Sequence, residues 1–283
     1  PQDALGELWA IYFNGETGQH IAVKKEVPLG QCTFRPSEFF VEIDEAQLKP
    51  GQLCGMIQNK QHTIAWNLSF QTDAQPLLLL PLRLYTTKLP AAKSLVASPC
   101  ARYNGHLTVN DERLDVSDWT GSQNHNWGSK HTDLYAWGQV AGFDLYPTSF
   151  LEVATARLKI GPVWTPSMTL MVLRHHDREF ALNSLSQSIK AKGSFTYFRW
   201  NFRSETPEIA LEGTIVAPHE AFVGLNYHNP PGGSKHCLNT KIASCTLRIT
   251  TKRSHTEETL TTRNRAAFEI LTDDRQHGVD MHA

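Results

Sequence analysis

One stretch of the chain gathers the groups that could do chemistry. From Asp118 to Gln139 it reads DWTGSQNHNWGSKHTDLYAWGQ, with three of the seven tryptophans, two histidines, two aspartates and four amides. Asp118, Asp133 and His125 are candidate proton donors or acceptors. Trp127, Tyr135 and Trp137 offer π faces that stabilise positive charge. Gln123, Asn126, His131 and Gln139 can orient the polar end of a ligand, joined by His228 from a later stretch. This set suits protonation of an alkene followed by cyclisation, isomerisation or hydration. Without turnover, the same aromatics would line the pocket of a carrier. With exposed tryptophans, they would dock a protein partner. The bland alternative is a plug, in which Trp rings close one end of a barrel and the amides satisfy backbone groups. If the stretch floors a site, Trp127 is buried with its indole N–H paired, and Gly128 stands where a Cβ would be obstructed. His125 and Gln139 then point into a common cavity.

Other chemistries find little support. His125, His131 and Asp133, with His106, could ligate a metal, but their spacing matches neither His-Glu-x-x-His nor paired Cys-x-x-Cys, so no metal is expected. Ser122 beside His125 is not a triad, and there is no Gly-x-Ser-x-Gly elbow. Phosphate-binding glycine loops are absent from the sequence, so no cofactor is expected. With 27 basic and 28 acidic side chains the net charge is -1, which argues against a nucleic-acid partner. No apolar run reaches the length of a transmembrane segment. The opening PQDALGELW lacks the marks of a signal peptide, and five sparse cysteines read as free thiols in a reducing, cytoplasmic setting. Cys237 and Cys245, if on one strand, stand about 26 Å apart at ~3.3 Å per residue, beyond disulfide reach. The sequence leaves the oligomeric state open.

The elements that position these groups are strands. Ile64, Trp66, Leu68 and Phe70 alternate with Ala65, Asn67 and Ser69 over residues 62–72. Residues 20–28, 134–143, 150–160, 194–205, 209–215 and 243–249 are further strands. Asn104-Gly105 reads as a two-residue hairpin turn. Residues 45–48 and 91–96 could each hold one helical turn. Asn229-Pro230-Pro231-Gly232-Gly233 fixes a tight loop, either a plain connection or a second wall of the pocket. Some 16–20 short strands exceed what one open sheet holds, so two β units are expected. They are residues 1–122 and 123–283, joined in the polar stretch 116–130.

Asn126-Trp127-Gly128, followed by a strand carrying Trp137 and Gln139, resembles the tocopherol cyclase and carotenoid hydratase group. Leu8-Trp9-Ala10-Ile11 is compatible with it. His125 and the run Lys130-His131-Thr132-Asp133 depart from the pattern. The resemblance implies an all-β fold of two lipocalin-like antiparallel barrels or sandwiches in tandem. It implies a cofactor-independent isomerase, cyclase or hydratase whose partner is a hydrophobic small molecule of terpenoid, polyene or polyketide type. The alternative is a lipocalin-type binding or transport protein without turnover.

Overall fold

Alternating sequence becomes strand almost throughout. A computed structural model describes residues 4–282, in two compact units: 4–73 with 101–121, and 74–100 with 122–281. In the first, β1 (Leu5–Phe13) and β2 (His20–Pro28) form a hairpin. A meander follows through β3 (Cys32–Arg35), β4 (Phe40–Ile43), β5 (Ala46–Lys49), β6 (Gln52–Gln58), β7 (Thr63–Gln71), β8 (Ala92–Val109) and β9 (Glu112–Gly128). Its core is small: Val23, Ile57 and Ile64, with Leu8, Tyr12 and Trp66 packed around them.

Two local expectations fail here for physical reasons. Asn104-Gly105 lies inside β8, where Gly105 pairs with Leu68. A Cβ at Gly105 would stand 2.1 Å from the Asn67 carbonyl oxygen, so the glycine serves a close strand approach rather than a turn. The chain turns instead at Asn110, whose φ is 54°. The polar stretch 116–130 is mostly strand, since β9 runs to Gly128 and passes from the first unit to the second. Residues 45–48 and 91–96 lie largely in β5 and β8 rather than in helical turns.

The second unit is built on β10 (Leu134–Ala141), β11 (Phe150–Arg157), the short pair β12 (Lys159–Ile160) and β13 (Val163–Trp164), β14 (Met168–His175) and β15 (Arg178–Leu182). After helix α1 (Leu185–Lys190) come β16 (Lys192–Thr196), β17 (Arg199–Glu205), β18 (Ile209–Val216), β19 (Val223–His228), β20 (Ser234–Thr251) and β21 (Thr256–Thr272). Ser184 and Gln187 start α1 with a capping box. The expected strand 194–205 is broken by a turn at Phe198, φ 75°. The large sheet is antiparallel, in the order β15-β14-β11-β10-β21-β20-β18-β17-β16, with β19 beside β20. It curls so that β16 packs against β11 and β14: a Cβ on Gly193 in β16 would strike the Thr155 and Thr169 hydroxyls at 2.1 and 2.2 Å. The enclosed core includes Val153, Leu173, Trp200, Phe202, Leu211, Leu247 and Phe268. Trp200 donates its indole N–H to Thr155 Oγ1 at 3.1 Å, satisfying a fully buried donor. On the other face, residues 74–100 cover part of the sheet with Leu77, Leu79 and Val96 against Phe150 and Val172. Among the described residues no helix is long and apolar enough to cross a membrane.

Candidate active site

Strand alternation divides β10 between two environments. Ala136 and Val140 join the enclosed core. Tyr135, Trp137 and Gln139 therefore line the opposite face. Register carries that face to the neighbours: Gln139 pairs with Glu152 of β11, and Trp137 with Glu269 of β21. Glu269 in turn pairs with Asn239, and Leu271 with Cys237, both on β20. Beyond Asn239 the β20–β21 register slips between Thr240 and Ala243, and Lys241 stands in that irregularity. A bulge at a site edge re-aims a side chain in this way.

Glu152 is the centre of the arrangement. It is 2% exposed. Trp137 Nε1 donates to its Oε1 at 2.8 Å, and Gln139 Nε2 donates to its Oε2 at 2.7 Å. Burial pushes the carboxyl up to about 7, against the opposing pull of the two hydrogen bonds and of Lys241. The residues flanking it on its own face, Phe150 and Ala154, belong to the apolar cluster with Leu77 and Leu79, which accounts for the poor solvation. Gln139 is held from its far side by the Ser122 hydroxyl and by Asn124 Oδ1 at 3.2 Å. Flipping this amide would present an acceptor to a protonated Glu152, so the pair can serve either state.

A second carboxylate lies across β10. Glu269 accepts the Tyr135 hydroxyl and, at 2.6 Å, the Asn239 amide N–H. Burial, and then the Glu269 charge, hold the Tyr135 phenol well above its ordinary range, so it remains a donor. Asn239 Oδ1 is buried without a donor among the described residues. Lys241 Nζ lies 5.1 Å from the centre of the Trp137 ring. Burial lowers its pKa against the pull of Glu269, Cys237 and Glu152. An acid poised near neutrality, a second carboxylate, an orphan acceptor and a cation over an indole together permit proton transfer to and from a ligand.

The structure brings Tyr135, Trp137 and Gln139 of the expected set to this site. The others lie elsewhere or face away. Along β9 the residues bonded to Gln139 are Ser122 and Asn124, so Asn126 shares their row while Gln123, His125 and Trp127 point the other way. His125 stacks on Trp127 at 5.1 Å, Gln123 donates to the Asn124 carbonyl, and Asn126 is exposed. Trp127 is 38% exposed, not buried, and lies 5.8 Å from Tyr85. The Gly128 expectation agrees with the structure, since a Cβ there would lie 2.1 Å from the Ala91 carbonyl oxygen. Asp118, in the first unit, is exposed beside Arg102 at 3.5 Å. Asp133 is a poor acid: burial would raise it, but the Lys159 N–H and the Lys130 ammonium hold it below the ordinary carboxylate range. His131 donates its backbone N–H to Asn229 Oδ1 at 3.1 Å, and His228 is exposed. The Pro-Pro-Gly-Gly loop thus anchors the 130–133 run, helped by Lys235, which donates to the Asp133 carbonyl at 2.7 Å. Glu152, Glu269, Asn239 and Lys241 were not among the expected residues. A signal existed: Phe150-Leu151-Glu152-Val153-Ala154 and Phe268-Glu269-Ile270-Leu271 each place a lone acid in an apolar strand, which is costly unless used or paired.

No family model matches the chain. Two curated relatives from Mycobacterium tuberculosis strains, each named only as an uncharacterized protein, are 25% identical over 209 residues, or 74% of this chain. The chain spans about three fifths of their length, 61%. Among solved structures, kievitone hydratase from Nectria haematococca matches with a TM-score of 0.62 at 11% identity, covering 94% of this chain and 80% of that one. A candidate AttH of Nitrosomonas europaea matches with a TM-score of 0.58 at 13% identity, covering 95% and 80%. The likeness is one of fold alone: the chain is nearly all-β, with large antiparallel sheets.

Proposed function

We propose that the second unit is a cofactor-independent acid–base catalyst that hydrates or isomerises an alkene in a hydrophobic small molecule. The observation that carries this reading is Glu152, a fully buried carboxyl raised to about 7 and aimed between Trp137 and Gln139. Protonated Glu152 gives its proton to one alkene carbon. The Trp137 face lowers the energy of the cation that forms at the other carbon. For hydration, a water oriented by Asn239 Oδ1 bonds to that carbon and passes its proton to Glu269. For isomerisation, Glu269 instead removes a proton from the neighbouring carbon. Lys241 receives an oxygen on the ligand, placing polyketide-like or hydroxylated terpenoid skeletons ahead of plain hydrocarbons. The fold shared with kievitone hydratase supports the reading.

The test begins with native mass spectrometry of protein from its own host, followed by identification of any extracted ligand. That ligand and related alkenes are then incubated in deuterated water. Deuterium on carbon, or a gain of one water, is expected with the native chain and lost in Glu152→Gln. A ligand that binds and returns unchanged, with no deuterium, would make the protein a carrier.

A further inference from the structure

At one end of the large sheet a second group of side chains converges. β14 passes into β15 through His176-Asp177, both at positive φ (49° and 58°), a turn tight enough to set two imidazoles side by side. The rings of His175 and His176 are 3.9 Å apart between centres. Glu258, near the start of β21, faces both. Its Oε2 lies 2.9 Å from His175 Nε2 and its Oε1 lies 3.6 Å from His176 Nε2. One ligand atom from each residue falls within 4.8 Å of the others.

We propose that His175, His176 and Glu258 bind a divalent transition cation, with Zn2+ the best match. Two imidazoles and a carboxylate are ligands that zinc accepts, and bonds of about 2.0–2.2 Å space tetrahedral ligands by about 3.3 Å, between the two separations observed. The surroundings are prepared for it. Ser149 Oγ lies 2.8 Å from His175 Nδ1. As acceptor it fixes the Nδ1–H tautomer and leaves the Nε2 lone pair facing Glu258, the outer partner that metal-ligating histidines commonly have. Tyr146 donates to Glu258 and sets its edge against both imidazoles, at 5.0 and 5.6 Å between ring centres. His175 is buried and His176 exposed, so the remaining coordination positions open to solvent. The site differs from the His125, His131 and Asp133 grouping that the sequence suggested. It joins residues 83 apart in the chain, and its only sequence trace is the His-His pair.

The full chain, produced without an affinity tag and stripped with a chelator, is titrated with zinc chloride by calorimetry at pH 7.5. One equivalent is expected to bind. Zinc should raise the thermal midpoint of the native chain. His176→Ala, at an exposed position that leaves folding intact, and Glu258→Gln should each weaken binding at least tenfold and abolish that rise. Absence of saturable binding, or equal affinity in His176→Ala, would overturn the proposal and leave these groups as a polar staple.

Discussion

Glu152→Gln exposes the balance of forces at the site through stability alone, before any substrate is known. In the folded chain the carboxyl ionises near 7, against an ordinary 4.5. Below pH 4.5 it is protonated whether the chain is folded or not. Between 4.5 and about 7 the fold keeps a proton that the unfolded chain releases, so stability falls as pH rises. Above about 7 both states are ionised and the loss is complete. At ~1.4 kcal/mol per pH unit the interval amounts to about 3 kcal/mol. Glu152 is almost wholly buried, so little of this is screened. Glutamine keeps the shape, still accepts from Trp137, and pairs with a flipped Gln139 amide, but it does not titrate. Native and variant chains are unfolded in urea from pH 4 to 8.5, read by hydrogen exchange of peptides from β10 and β11. The variant is expected to gain about 3 kcal/mol on the native chain across the interval. Carboxyl-labelled glutamate should show one resonance titrating near 7. A flat difference, within about 1 kcal/mol, would refute the reasoning by showing that Trp137, Gln139 and Lys241 outweigh burial.

Trp127→Ala should cost less than about 2 kcal/mol in thermal unfolding, because the ring is 38% exposed and loses mainly its stacking on His125 and Tyr85. Gly128→Ala should cost more, about 2 kcal/mol or above by the same measurement, since its Cβ would collide with the Ala91 backbone. His236 and His277 share a 2.7 Å contact, and Val279 donates its N–H to His277 Nδ1 at 3.0 Å, which requires a neutral ring. Burial lowers both imidazoles; the nearby Arg275 lowers His236 further, and His236 lowers His277. Their contribution is therefore present above about pH 6.5 and lost as pH falls. Hydrogen exchange corrected for intrinsic rates should show residues 276–281 losing protection between pH 7 and 5, and unchanged protection would refute this.

Strands with one face in a core were legible from alternation. His20–Pro28 appears at its expected bounds because Val23 and Val27 must be buried while Lys25 must not. Residues 91–96 misread as helical because Ala and Lys carry helix propensity, and the pairing of a long strand overrides it. At the site, Tyr135, Trp137 and Gln139 were found because they lie close together in sequence. Their partners were not: the Tyr135–Glu269 bond joins residues 134 apart, and local pattern holds no record of such pairing. The Asn126-Trp127-Gly128 run drew attention by composition, yet alternation along β9 turns Trp127 away from Gln139. Composition alone does not record which way each side chain faces.

The central position of β10 also has a consequence during synthesis. Its two neighbours are β11, made immediately after it, and β21, so Tyr135 meets Leu271 only once the intervening strands β11 to β20 have been made. At 5–20 residues per second the ribosome takes on the order of ten seconds to bridge that gap. Throughout, β10 presents an unpaired edge beside the apolar strands β11 and β14, the kind of surface that recruits other chains. Assembly of the Glu152 and Glu269 cluster and sealing of this edge are the same event. A chain ended before Thr272 would lose both together, so chaperone capture and yield of truncated forms should track how much of β21 has been made.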